Sequence, residues 1–195
     1  MRSCLAVGAI LTVLPVLSLG CGDPNRPTAP RDVAGAERIA AAVQPHASAS
    51  ERLVTMMDAC DPESFNAAVG PGTCVERQAG VKFPAFIDEL NRTQKAGAWV
   101  FAPPATVARA GQTFLAVNRG GEVHTFTRVA AFGGGIVPLL NDLSGNPDVA
   151  PECLSLDPDD FVPAGGTYEE EIDEPGTQRF QCCIHPWMRT TLRAR

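Results

Sequence analysis

Seven residues near the C-terminus hold three side chains able to do chemistry together, Cys182, His185 and Met188, within Phe180-Gln181-Cys182-Cys183-Ile184-His185-Pro186-Trp187-Met188-Arg189. A thiolate, an imidazole and a thioether in the order Cys-x2-His-x2-Met form a soft donor set. With one more imidazole, such a set suits a single copper ion that cycles by one electron. The chain has three histidines, His46, His124 and His185. His46 lies in a small, polar stretch after Pro45, where an imidazole is solvated rather than held. His124 sits in Asn118-Arg119-Gly120-Gly121-Glu122-Val123-His124-Thr125-Phe126-Thr127 and completes the set of His124, Cys182, His185 and Met188. Zinc suits these donors less well, because structural zinc takes four Cys or His ligands and an axial Met binds it poorly.

With these residues in view, 98–192 resemble a cupredoxin, with a ligand loop like that of the amicyanin and plastocyanin branch. The resemblance spans about half the chain. It rests on Asn118 at the root of the His124 segment and on the aromatic-x-Cys-x-x-His-Pro-x-Met run from Phe180 to Met188. It implies a Greek-key β-sandwich, one mononuclear type 1 (blue) copper ion on His124, Cys182, His185 and Met188, and electron carriage rather than enzymatic turnover. One departure is Thr125, where many cupredoxins have Asn; its hydroxyl is expected to bond across to the second ligand loop. The related loops also select Cys182 over Cys183, since only Cys182 leaves two residues before His185. Adjacent strand residues face opposite ways in any case, so both thiols do not readily reach one metal.

These ligands need a scaffold, and from residue 98 the chain reads as strands. Runs at 99–101, 106–108 and 113–118 are β-prone and are broken by Pro103-Pro104 and Gly111. Residues 123–129 alternate so that one face carries His124. Phe132-Gly133-Gly134-Gly135 reads as a loop or bulge, and 139–160 as a long, polar, Pro-rich connection containing Cys153. Residues 161–168 and 177–182 supply the last strands, so the class is mainly β, a sandwich. Cys182 would close the last-but-one strand, with His185 and Met188 on the tight loop after it. Cys183 either pairs with Cys153 or stays reduced and buried, as does Cys153; the sequence leaves both open.

Residues 51–97 read as a small helical extension. Ser50 can cap a helix over 51–59, Asp61-Pro62-Glu63 starts a second that Gly70-Pro71-Gly72 ends, and a third covers 84–94 with Phe86, Ile87 and Leu90 on one face. Cys60 and Cys74 flank the second helix. In an exported chain a disulfide between them is the natural reading, stabilising the unit by about 3 kcal/mol in the chain-entropy model.

Export itself is read from the start of the chain. Met1-Arg2, a mostly apolar run over 5–19 and then Gly20-Cys21 describe a signal, residues 1–20. The run is shorter than the roughly 20 residues a membrane span needs. Cys21 after Ser18-Leu19-Gly20 resembles a bacterial lipoprotein box, with Ser18 where leucine is usual. The resemblance implies lipidation of Cys21 and a membrane tether; the other reading is a soluble secretory signal cut nearby. Residues 21–50 then form a Pro-rich linker, with a weak helix over 32–43, ahead of the 51–97 extension and the 98–195 cupredoxin domain. Either signal places the protein outside the cytoplasm, periplasmic or at the cell surface.

The remaining bounds concern partners. The chain of 195 residues is 45% hydrophobic, enough for a real core, and its net charge of -6 argues against nucleic acid. Ile184, Pro186 and Trp187 around His185 form either an apolar docking patch for a redox protein or, in the case of Trp187, part of the core. Asp157, Asp159, Asp160, Glu169, Glu170, Glu171, Asp173 and Glu174 read as a solvated face, with docking of a basic cytochrome the weaker alternative. The expectation is an exported copper protein passing single electrons between redox partners. The alternatives are a copper-delivery cupredoxin and an accessory domain of a respiratory complex.

Overall fold

Residues 50–75 and 80–195 are described in the computed structural model. The signal, Cys21, the linker with its weak helix, and His46 lie outside the described residues. In chain order the elements are β1 (Glu51–Met57), α1 (Pro62–Ala68), α2 (Phe83–Thr93), β2 (Val100–Ala102), β3 (Ala105–Ala108), β4 (Thr113–Asn118), β5 (His124–Thr125) and β6 (Thr127–Val129). There follow α3 (Pro138–Leu143), β7 (Phe161–Val162), β8 (Thr167–Glu171), β9 (Gly176–Gln181) and β10 (Arg189–Ala194). The mainly β class expected from the sequence is the one found.

Two four-stranded sheets form, in the orders β2-β1-β4-β8 and β3-β10-β9-β6, and β5 pairs separately with β7. Both large sheets are mixed, with β1 parallel to β4 and β10 parallel to β3. Their inner faces meet through aromatic rings. Phe114 of β4 lies 5.0 Å from Phe180 of β9, Phe126 stacks on Phe180 at 4.8 Å, and Phe101 of β2 reaches Phe126 at 5.2 Å. All four rings are fully buried. Such rings carry the largest apolar area per residue, so this seam dominates the burial that holds the sheets together.

The expected helix over 51–59 is a correction. These residues form β1, hydrogen-bonded to β2 on one side and β4 on the other. Val54 and Met56, two residues apart, are both fully buried, which is the period of a strand. Tertiary pairing at a central position overrides the weak local helix signal here. The boundary drawn at residue 98 therefore does not divide the structure: one hydrophobic core runs from Val54 and Met56 through Phe114 to Leu192.

The next two helices lie where the sequence puts them. Asp61 caps α1 by accepting from the Ser64 backbone N–H at 3.0 Å, and Pro62 opens the helix. Helix α2 turns Phe86 and Leu90 inward. The 139–160 connection is more ordered than expected, carrying α3 and short 3-10 turns at Pro151–Leu154 and Pro158–Asp160. Disulfides join Cys60 to Cys74 and Cys153 to Cys183, with Cα separations of 6.2 and 5.5 Å. Of the two fates left open for Cys183, pairing with Cys153 is the one observed. Among the described residues no helix is long and apolar enough to cross a membrane.

Candidate metal centre

The hairpin of β9 and β10, in register at Gln181↔Arg189, builds the ligand loop. The loop closes on itself: the Cys182 N–H donates to the Met188 carbonyl at 3.0 Å, and the Met188 N–H donates to the His185 carbonyl at 2.9 Å. Outside it, Arg189 donates to the Pro186 carbonyl and to Asn146 Oδ1, each at 2.6 Å. The Cys183 carbonyl accepts from the Ile136 N–H at 2.7 Å. A Cβ on Gly135 would lie 1.9 Å from that carbonyl oxygen, so only glycine lets this strand of chain press against the loop. Cys182, His185 and Met188 are all buried as a result.

His124 arrives from another part of the sandwich, at the start of β5. Buried Asn118 shapes the approach. Its Nδ2 donates to the carbonyls of Glu122 and Val162 at 2.8 and 2.9 Å, and its Oδ1 accepts from the Gly120 N–H at 2.9 Å. The expected bond from Thr125 to the ligand loop is present, with Thr125 Oγ1 accepting from the Cys183 N–H at 2.6 Å.

The two imidazoles and the thiol converge. Cys182 Sγ lies 3.9 Å from His124 Nδ1 and 3.8 Å from His185 Nδ1, and all three donor atoms fall within 4.8 Å of one another. A metal about 2.3 Å from sulfur and about 2.0 Å from nitrogen holds S and N about 3.7 Å apart at a trigonal angle and about 3.5 Å at a tetrahedral one. The observed S–N spacings lie close to the trigonal value, so one metal ion fits between the sulfur and each nitrogen. Met188 ends the loop and packs in the same core as Cys182. Two backbone N–H groups, of Thr125 and His185, donate to Cys182 Sγ at 3.4 Å each.

The donors shift one another's charge. Burial alone would push the Cys182 thiol up, but His124 and His185 outweigh it and hold it well below the usual thiol range. Burial also opposes a charged His124, yet its hydrogen bonds with Asp58 and Cys182 prevail and raise it to about 9. Cys182 is the one free cysteine among the described residues.

Behind each histidine stands a carboxylate that the sequence reading did not single out. Asp58 Oδ2 lies 2.9 Å from His124 Nε2, and Glu122 Oε2 lies 3.6 Å from His185 Nε2. Asp58 also accepts from the backbone N–H groups of Cys60, Gly121 and Glu122 at 3.2, 3.0 and 3.0 Å. Burial would lift its pKa, but the His124 contact and the Glu122 and Gly121 N–H groups bring it down to about 2. Trp99 Nε1 donates to Glu122 Oε2 at 2.5 Å, and burial raises the Glu122 pKa despite that bond and His185. Asp58 and Glu122 also gather near Cys60, whose sulfur is committed to the disulfide and offers no thiolate.

Helix α2 and Trp187 pack against the loop histidine. The Phe86 ring lies 6.5 Å from His185 and the Trp187 ring 5.5 Å. His185 is 3% exposed, so an open patch of Ile184, Pro186 and Trp187 does not form; Pro186 is buried and Trp187 half-buried against the core. A groove of about 330 Å³ instead reaches His185 and Glu122 between Phe86, Ile87, Leu140 and Ile184. Val69 and Leu139 on its lining are 61% and 58% exposed. In the acidic region Asp157, Asp159, Glu169, Glu171, Asp173 and Glu174 are exposed, whereas Glu170 pairs with Arg128 at 3.2 Å.

No family model and no curated protein matches the chain. Among solved structures it is similar to a purple cupredoxin from Nitrosopumilus maritimus, at 17% identity and a TM-score of 0.38, over 51% of this chain and 86% of that one. It is similar also to the reduced Cu(I) form, at pH 4, of an amicyanin point mutant, at 19% identity and 0.35, over 52% and 77%. Amicyanin from Paracoccus versutus aligns at 21% identity and 0.32, over 49% and 72%. The overlap covers about half of this chain.

Proposed function

We propose that the protein is a type 1 copper electron carrier in which His124, Cys182, His185 and the weak donor Met188 would hold the ion. The observation that carries this reading is the convergence of two imidazole nitrogens and one buried sulfur at metal-ligand spacing. Copper bound there would supply a one-electron Cu(II)/Cu(I) couple. The chain's own part is to hold the donors still. The loop is closed by backbone bonds at both ends, and His124 is fixed from behind by Asp58. Such a site resists rearrangement when the charge of the ion changes. With every donor supplied by the protein, the arrangement suits electron carriage rather than turnover of a substrate.

A protein redox partner such as a cytochrome is the donor and acceptor class this reading calls for. Two disulfides, beside one free thiol among the described residues, support an oxidising compartment and hence export. Lipid attachment through Cys21 rests on the sequence pattern alone. Voltammetry of the copper-loaded protein tests the reading: a reversible one-electron wave is expected. Copper lost on each reduction would instead favour a copper-delivery role.

A further inference from the structure

We propose that Asp58 and Glu122 form a carboxylate layer behind the two histidine ligands that biases the copper centre toward its oxidised state. The inference rests on the copper reading above. Its geometric basis is that each histidine turns Nδ1 to Cys182 and Nε2 to a carboxylate. A ring whose second N–H is held by a carboxylate has its tautomer and orientation set, and becomes a more basic ligand.

Burying a carboxylate is costly unless its lone pairs are satisfied. The Asp58 side chain is 1% exposed and accepts three backbone N–H groups besides the imidazole. The chain around it is shaped for the purpose. A Cβ on Gly120 would lie 1.8 Å from Asp58 Oδ2, so any other residue there would displace the carboxylate. Glu122 is held by Trp99, which comes from the segment just before β2. Asp58 and Trp99 both flank the helical excursion between β1 and β2. The excursion thus supplies Asp58, the Trp99 that holds Glu122, and the Phe86 ring beside His185.

The direction of the bias follows from charge. Copper(II) with the Cys182 thiolate and the Asp58 carboxylate sums to zero, whereas copper(I) with the same groups leaves a buried net charge of minus one. A negative Glu122 adds to the same imbalance. Low-dielectric surroundings penalise the reduced state more, so these carboxylates lower the reduction potential. They are positioning residues, acting through His124 and His185.

The experiment measures the reduction potential of the full copper-loaded chain for wild type, Asp58→Asn and Glu122→Gln. Asp58→Asn should lower the ratio of copper(II) to copper(I) affinity at least about tenfold, which raises a one-electron potential by about 59 mV. Glu122→Gln should shift it the same way. In the reduced wild type, proton NMR should show the His124 Nε2 proton protected from solvent exchange, and that protection should weaken in Asp58→Asn. If Asp58→Asn fails to fold, Glu122→Gln decides alone, since the Glu122 side chain carries fewer bonds than Asp58, to Trp99 and His185. Blue variants with unchanged or lower potentials overturn the inference and leave the copper reading standing. A wild type that takes up no copper overturns both.

Discussion

Removing the Cys153–Cys183 disulfide separates two roles that adjacent cysteines make easy to confuse. The crosslink spans 30 residues. In the chain-entropy model a loop of that length costs the unfolded state about 12 cal/mol/K, or about 3.6 kcal/mol at 25 °C. The Cys183 backbone would still donate to Thr125 and accept from Ile136, because neither bond uses the side chain. The double variant Cys153→Ala, Cys183→Ala should therefore be about 3.6 kcal/mol less stable while its copper chemistry survives. Urea denaturation of the metal-free protein reads the first effect. With a slope of about 2 kcal/mol per molar, the midpoint should fall by about 1.8 M. A visible spectrum after copper loading reads the second. A loss below about 1 kcal/mol would refute the assignment of the crosslink as a stabilising element. A folded variant without the thiolate band would refute Cys182 as the sulfur ligand.

Other outcomes follow from the same geometry. Met188→Leu should keep copper and raise the potential on the order of one tenfold step, about 59 mV, because losing a weak donor hurts copper(II) more. Voltammetry giving an unchanged or lower value would remove Met188 from the ligand set. His124 is held up to about 9 and must lose its proton to bind metal. Copper(II) affinity should therefore rise about tenfold per pH unit from roughly pH 7 to 9 and then level off; a flat profile in chelator competition would contradict the imidazolium. In the metal-free protein, Asp58 falls from 3.8 to about 2. A depressed carboxylate stabilises above its unfolded pKa, so this contribution, about 2 kcal/mol, should be complete above about pH 4. It should be lost as pH falls through about 2, and a urea-midpoint profile that ignores this window would count against the Asp58–His124 pair.

The candidate ligands were legible because three of them share one loop of seven residues and the fourth is one of only three histidines. The loop's spacing is a local property that survives in the sequence. Strand β1 was not legible: Glu51–Met57 has no distinct alternation until β2 and β4 close on it from both sides. Asp58 left no mark either, since its partner lies 66 residues away and its role depends on β1 being a strand. Glu122, two residues from His124, was the one supporting carboxylate that proximity alone offered. The cover over His185 was hidden for the same reason as Asp58. Phe86 read as the apolar face of a helix, and only the fold places that face against the ligand loop.

The visible spectrum of the chain with one equivalent of copper(II), compared with Cys182→Ala, tests the central claim most directly. An intense blue thiolate-to-copper(II) band in the wild type, absent from Cys182→Ala, is the expected result. A colourless wild type, or a band that survives the loss of Cys182, would contradict it.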